Sequence, residues 1–76
     1  MQIKILFFGS LTDIAGASLV IRDIDDTNLL IKELNQTYPL LKELKYLVAV
    51  DQKVIGGNTV LTNGCTVALM PPFSGG

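Results

Sequence analysis

Two apolar segments near opposite ends of the chain have the composition and boundaries of β-strands. Ile3–Phe8 is rich in β-branched and aromatic residues and ends at Gly9-Ser10, which is the pattern of a strand closed by a turn. Cys65–Met70 follows Asn63-Gly64, a strong turn signal, and stops at Pro71-Pro72, which cannot continue a central strand. We therefore predict strands at both positions.

The first half of the chain adds a second strand and one long helix. Residues 18–24 alternate well enough for a strand paired with the first in a hairpin, after a short turn or single helical turn at residues 11–16. From Asn28 onward, apolar residues recur at helical spacing until Pro39 ends the pattern. Asp25-Asp26 places negative charge at the start of this helix, and Thr27 is its predicted N-cap.

The second half of the chain predicts a hairpin and a short extended piece. Residues 40–44 form a short helical segment or a loop, and residues 46–50 and 53–55 flank the two-residue turn Asp51-Gln52. Gly56-Gly57-Asn58 interrupts the pattern before a short extended piece at residues 59–61. The whole order predicts an α+β fold, with a mixed sheet of four or five strands and one main helix packed on one face.

Strand parity predicts an apolar sheet face that this helix does not cover. Ile3, Ile5 and Phe7 share one face of the first strand, whereas Leu6 and Phe8 lie on the other. An exposed apolar patch is typical of a protein interface. If the first and last strands are neighbours, this patch consists of Leu6, Phe8, Ala68 and Met70.

Length and composition suit one folded domain with a thin core. The chain has 76 residues, of which 49% are hydrophobic, and a chain of this size buries only about 60% of its unfolded surface. The net charge is −1 and the six cations are scattered, which argues against nucleic acid as a partner. No apolar stretch reaches the roughly 18 residues of a membrane span. The N-terminal sequence MQIKILFFGS lacks the features of a signal peptide, so we expect no membrane association and a cytoplasmic protein.

The chain offers few groups for catalysis or metal binding. It has no histidine, which removes the commonest general base and the imidazole ligand, and we predict no metal site. Cys65 is the single cysteine, so it cannot form an internal disulfide, and we interpret it as a buried structural thiol rather than a nucleophile. Asp25-Asp26 is explained more simply as a helix start than as an acid pair.

The C-terminal sequence MPPFSGG is the strongest candidate for chemistry. We predict a domain over residues 1–70 and a flexible tail over residues 71–76, because Pro71-Pro72 stiffens its base. Ser74, Gly75 and Gly76 add little bulk, and the tail can extend to about 20 Å at roughly 3.3 Å a residue, which would let it enter a narrow channel. The Gly76 carboxylate is ionised at neutral pH and needs activation, for example as an acyl adenylate. Gly56-Gly57-Asn58 lacks the lysine and spacing of a P-loop, so a separate ATP-using enzyme is implied.

The segments IKILFFGSL, TNLLIKEL, VAVDQKVI and above all LTNGCTVALMPPFSGG carry a family resemblance. Over its whole length the chain resembles the small subunits of molybdopterin synthase, which are ubiquitin-like sulfur carriers with a β-grasp fold. The resemblance is most specific at the end, where a strand, two prolines, two variable residues and Gly-Gly follow one another.

The resemblance implies a role in building the molybdenum cofactor. An adenylating, E1-like enzyme would use ATP to activate the Gly76 carboxylate, and a sulfur donor would convert it to a thiocarboxylate. The tail would then deliver sulfur inside the large subunit, which holds the catalytic residues of a heterotetramer, and this chain would bind no cofactor itself. The resemblance places Phe8, Val54 and Met70 on the partner-facing surface, and Phe73 is a candidate anchor in the partner's channel.

Other functions share these features. A carrier for thiamin thiazole or another sulfur pathway would have the same fold and the same Gly-Gly end, although the loop at residues 11–16 and Pro71-Pro72 favour the molybdopterin pathway. A ubiquitin-like protein modifier, joined to target lysines through Gly76, lacks a basic residue before Gly75-Gly76 here. An interaction module with an inert tail is the remaining alternative.

Overall fold

The computed structural model describes residues 2–72, and the elements within them match the predicted order. The strands are β1 Gln2–Phe7, β2 Ser18–Arg22, β3 Leu47–Val50, β4 Lys53–Val54 and β5 Thr66–Met70. The α-helices are α1 Thr12–Ala15 and α2 Thr27–Thr37, and 3₁₀ helices span Gly9–Leu11 and Pro39–Glu43. The predicted long helix and paired strands are therefore confirmed within two residues of their expected bounds.

The strands form one mixed sheet in the order β2-β1-β5-β3-β4. β1 and β5 are parallel neighbours at its centre, with Ile5 opposite Val67, and the remaining pairs are antiparallel. β1 and β2 form the predicted hairpin, as do β3 and β4. The predicted α+β class with a mixed sheet of four or five strands is thus confirmed, with five strands.

α2 covers one face of this sheet and closes the hydrophobic core. Leu30 and Leu34 of α2 are fully buried, as are Ile3 and Ile5 of β1. The rings of Phe7 and Tyr38 meet edge to face with centroids 6.5 Å apart, a favourable geometry for aromatic pairs. The core residues are Ile3, Ile5, Phe7, Leu11, Leu30, Leu34, Leu41, Leu61, Cys65, Val67 and Leu69.

The start of α2 differs by one residue from the sequence prediction. Asp26 is the N-cap, and its carboxylate accepts a hydrogen bond of 2.9 Å from the N–H of Leu29. Thr27 is instead the first helical residue, and its buried hydroxyl accepts a 2.9 Å hydrogen bond from the N–H of Thr59. The prediction of Thr27 as N-cap is wrong because this long-range contact engages its hydroxyl, which leaves the cap to the preceding carboxylate.

Residues 59–61, predicted as a short extended piece, brace the helix rather than the sheet. Val60 forms an isolated bridge with Asp26, and the N–H of Leu61 donates to the carbonyl of Asp25 at 2.9 Å. The segment therefore fixes the loop that enters α2. Within residues 2–72, no helix combines the length and apolar character that crossing a membrane requires.

Candidate functional site

The sheet face opposite α2 carries the predicted uncovered patch. Leu6 of β1 lies opposite Ala68 of β5, and Ala68 in turn lies opposite Ala49 of β3. Residues directly opposite in register share a face, so these three belong to one surface, together with Met70 and its partner Leu47. The fully buried residues of β1 and β5 point to the other face. We call the surface that carries Leu6, Ala68 and Met70 the open face.

The open face is concave and forms a groove of about 720 Å³. Its polar rim includes Lys4 and Asp51, and its interior is mainly apolar. All four residues of the patch predicted from strand parity line it, which confirms their placement. The lining residues are Lys4, Leu6, Phe8, Ala49, Asp51, Gln52, Val54, Thr66, Ala68 and Met70.

The groove owes its shape to small side chains at its centre and large ones around them. Ala49 and Ala68 face each other across β3 and β5, and Ala49 is only 3% exposed. Phe8 is 46% exposed and Val54 is 61% exposed. Large apolar side chains left in water around a shallow hollow are typical of a binding surface.

The structure brings the three predicted partner-binding positions Phe8, Val54 and Met70 to this one groove. They reach it from three different strands or strand ends, with Val54 placed by its pairing opposite Ala49 in the β3–β4 hairpin. Their proximity follows from the sheet order, in which β1, β5, β3 and β4 are consecutive. Their role in binding a partner stays a prediction.

The hairpin turn at one end of the groove is held in place by Asp51. Its backbone N–H donates to the carbonyl of Thr66 at 2.8 Å, and its carboxylate accepts from the N–H of Thr66 at 3.0 Å. Asp51 and Gln52 both have positive φ, 48° and 72°, as a two-residue hairpin turn of type I′ requires. These bonds fix the β3–β4 hairpin against β5, and β4 of this hairpin carries Val54.

The C-terminal segment leaves the sheet beside this groove. The N–H of Phe8 donates to the carbonyl of Leu69 at 3.1 Å, and Met70, the last residue of β5, lines the groove. Pro71 then packs against Gly9, where a Cβ atom would lie 2.6 Å from the proline Cγ. The absence of a side chain at Gly9, which has φ +58°, permits this close approach.

The remaining predicted site residues, Phe73, Ser74, Gly75 and Gly76, lie outside the described residues. The predicted boundary between a domain at 1–70 and a tail at 71–76 likewise stays a prediction. What the structure gives is the starting point of that segment: Pro71 is half-buried and Pro72 is exposed.

The rival candidates for chemistry have structural roles. Cys65 is a free, buried thiol in the core, on the face opposite the groove, as the sequence predicted. Asp26 caps α2. In the described part of the chain, no group of three or more His, Cys, Asp or Glu side chains is arranged to hold a metal ion.

Sequence reasoning did not single out two residues of the open face. Ala49 lines the groove, and Leu47, 41% exposed, lies opposite Met70 beside it. Parity within β3 places both on one face, but the choice of face depends on the register with β5. That register is a long-range property, so a pattern confined to residues 46–50 could not supply it.

Comparison with known proteins identifies the family. The sequence profile of the ThiS family matches residues 5–76. The chain belongs to the ThiS family. It is therefore a ubiquitin-like sulfur carrier, and its five-stranded mixed sheet with α2 on one face is the β-grasp fold of that group. No curated protein sequence matches the chain.

Solved structures of the same fold include proteins of more than one biological role. A chain in the complex of subunits 1 and 2 of the molybdopterin-converting factor from Helicobacter pylori 26695 is 28% identical, with full coverage of both chains and a TM-score of 0.78. A putative molybdopterin converting factor subunit 1 from Pyrococcus furiosus is 20% identical, with a TM-score of 0.87 over 96% of this chain and 99% of its own. SAMP1 from Haloferax volcanii is 19% identical, with full coverage of both chains and a TM-score of 0.79.

Proposed function

We propose that this ThiS-family chain is the small, sulfur-carrying subunit of a molybdopterin synthase and acts in the cytoplasm. The H. pylori relative, which matches over its full length at 28% identity, belongs to a complex of two molybdopterin-converting factor subunits. The other two structural relatives, at 20% and 19% identity, support the fold. The preference for the molybdopterin pathway therefore rests on the first relative and on the groove.

The observation that carries the proposal is the position of the groove beside the start of the C-terminal segment. Phe8, Val54 and Met70 offer apolar surface that the chain does not bury itself, and Met70 directly precedes the residues that leave the sheet. A large subunit seated on the open face would hold the C-terminal segment next to its own active site. Binding and delivery of sulfur would then use one continuous interface.

The proposed chemistry takes place at the Gly76 carboxylate. An activating enzyme joins a carboxylate oxygen to the α-phosphorus of ATP, which forms an acyl adenylate and releases pyrophosphate. A sulfur donor at the oxidation level of sulfide then displaces AMP from the acyl carbon, which leaves a thiocarboxylate. In the large subunit the thiocarboxylate sulfur would displace an oxygen substituent from a carbon of the pterin precursor, which forms a thioester. Water would then attack the acyl carbon of this thioester, which leaves the sulfur on the precursor and restores the Gly76 carboxylate.

Cys65 is the alternative sulfur carrier within the chain, and its surroundings argue against that role. Its side chain is 4% exposed and belongs to the core cluster beneath α2. A thiol that accepts and donates sulfur has to meet two other proteins, and a buried side chain cannot meet either without opening the core. The proposal therefore assigns the sulfur to Gly76.

The decisive experiment is an intact-mass measurement after incubation with an activating enzyme, ATP and a sulfide donor. We expect the mass change of one oxygen replaced by one sulfur, with fragmentation placing the change at Gly76. The Cys65→Ser variant should gain the same mass, and a chain lacking Gly75-Gly76 should gain none. Sulfur found on Cys65, or an unmodified Gly76, would refute the proposal.

Product analysis separates the sulfur pathways. The thiocarboxylate form, mixed with the large subunit and pterin precursor, should yield the dithiolene product in proportion to the carrier consumed. Sulfur transfer into a thiazole instead would assign the chain to thiamin synthesis. Covalent adducts between Gly76 and lysines of other proteins would identify a modifier.

A further inference from the structure

A second concave region lies on the side of the molecule that carries α2. Three adjoining hollows of about 530, 390 and 210 Å³ lie along α2, the 3₁₀ helix Pro39–Glu43 and the start of β3. They share lining residues: Asn35 and Lys42 line two of them, and so do Tyr46 and Leu47. We call the three together the lysine trough.

The charges in the lysine trough are all of one sign. Lys32, Lys42 and Lys45 line it, and no Asp or Glu does. None of these three lysines forms an ion pair with a carboxylate within residues 2–72. Half of the six cations of a chain with net charge −1 therefore border two adjoining hollows of the lysine trough, which favours an occupant that carries carboxylates.

The uncharged residues that line the trough indicate which groups, besides carboxylates, its occupant carries. Asn35 lines two of the hollows, and its side-chain oxygen is buried without a hydrogen-bond donor in the described part of the chain. A buried acceptor of this kind is costly unless a donor reaches it. Leu44 and Leu47 add exposed apolar surface beside it. Carboxylates, N–H donors and aliphatic side chains together describe an acidic peptide segment.

The lysine trough adjoins the groove of the open face. Leu47 lines the trough and lies opposite Met70, which lines the groove. β4 pairs with β3 only at Ala49 and Val50, so it does not separate the two regions at Leu47. Pro72 also lines the trough. The two concave regions therefore flank the point where the C-terminal segment leaves the sheet.

We infer that the lysine trough binds an acidic segment of the same large subunit that occupies the groove. This inference rests on the proposed function, and it adds a second, electrostatic contact on the other side of the C-terminal segment. A partner that contacts both sides would fix the direction in which that segment enters the partner. Charged contacts at the edge of an interface mainly raise the association rate and its sensitivity to salt.

The test compares two charge-matched double variants of the full chain. Lys42→Gln with Lys45→Gln removes two charges from the trough. Arg22→Gln with Lys53→Gln removes two charges from positions that line neither concave region. Binding of each to the large subunit from the same organism is followed by surface plasmon resonance at several salt concentrations.

We expect the trough variant to bind about tenfold more weakly, mostly through slower association, and with a flatter salt dependence than the unmodified chain. The control should change by less than about twofold. Equal behaviour of the two variants, with the unmodified chain still binding, would refute the trough contact and leave the proposed function standing. Failure of the unmodified chain to bind the large subunit would refute both.

A second measurement asks whether the chain fills the trough itself. In the free protein, NMR signals of Lys42 and Lys45 should be the same with and without residues 73–76. Large shifts on removal of those residues would show that the chain's own end occupies the trough, which would overturn the assignment to the partner.

Discussion

The two faces of the sheet differ in what covers them, although both are apolar. On the covered face, Ile5 and Val67 are fully buried beneath α2. On the open face, their chain neighbours Leu6 and Ala68 remain partly exposed in the groove. Adjacent residues of a strand therefore differ in their surroundings: one is packed in the core, and the next lines the proposed interface. The position of α2 determines which face of the sheet is buried and which stays open, because the helix covers only one of them.

The largest effect separates the two faces by stability. Ile5→Ala should lower the free energy of unfolding by about 2–5 kcal/mol, because it leaves a cavity in a fully packed site. Leu6→Ala, one residue along on the open face, should cost less than about 1 kcal/mol. Urea denaturation of both variants measures the difference. Equal losses would mean that the open face contributes to the core.

The second-largest effect concerns binding of the large subunit, for which the open face rather than the covered face should matter. Met70→Asp should weaken binding to the large subunit by about 2 kcal/mol or more, because it places a charge in a desolvated contact. Val60→Asp is the control, since Val60 is 76% exposed and lines neither concave region.

Isothermal titration calorimetry of these two variants gives the affinities, and their melting temperatures should stay close together. A similar loss of affinity in both would show that added negative charge, rather than the groove, sets binding.

A smaller effect concerns the N-terminus of α2, the helix that buries one face of the sheet. Asp26→Ala should lower the free energy of unfolding by about 1 kcal/mol, because the N–H of Leu29 loses its capping acceptor. Asp25→Ala, which removes a neighbouring exposed carboxylate, should cost only a few tenths of that. Thermal unfolding at one pH compares them, and the opposite ranking would move the cap to Asp25.

The smallest effect concerns Tyr46, which lines the lysine trough. Burial raises the pKa of its hydroxyl above the ordinary value of 10.0. The folded state therefore holds this proton more tightly than the unfolded state, and stability present below about pH 10 is lost as the pH rises through the folded pKa. Tyr46→Phe should flatten that alkaline decline in urea denaturation. An unchanged pH profile would assign the decline to other groups.

Strand parity predicted the two faces from sequence because a strand with one buried face has a strict period of two. Given the assumption that the first and last strands are neighbours, which the structure confirms, it placed Leu6, Phe8, Ala68 and Met70 together. Val54 came from the family resemblance, since its place beside Ala49 depends on the hairpin register. Residues within a regular element were therefore predictable, and their partners across the sheet were less so.

Contacts between distant segments account for the remaining differences. Asp26 and Thr27 are both good N-cap residues, and the choice between them depends on Thr59, 32 residues further on. The lysine trough was not predicted because Lys32, Lys42 and Lys45 come together only when α2 packs beside the 3₁₀ helix and β3. No local pattern reports that packing.

The parallel pairing of β1 with β5 makes completion of the fold depend on a strand that lies far along the chain from β1. β1 is synthesised well before its central neighbour, β5 Thr66–Met70. Until β5 inserts, β1 and β3 lack the strand that joins them, so the core stays open and folding waits for a contact of high sequence separation. A chain that stops before β5 would lack this central strand and, with it, both the groove and Pro71, where the C-terminal segment leaves the sheet.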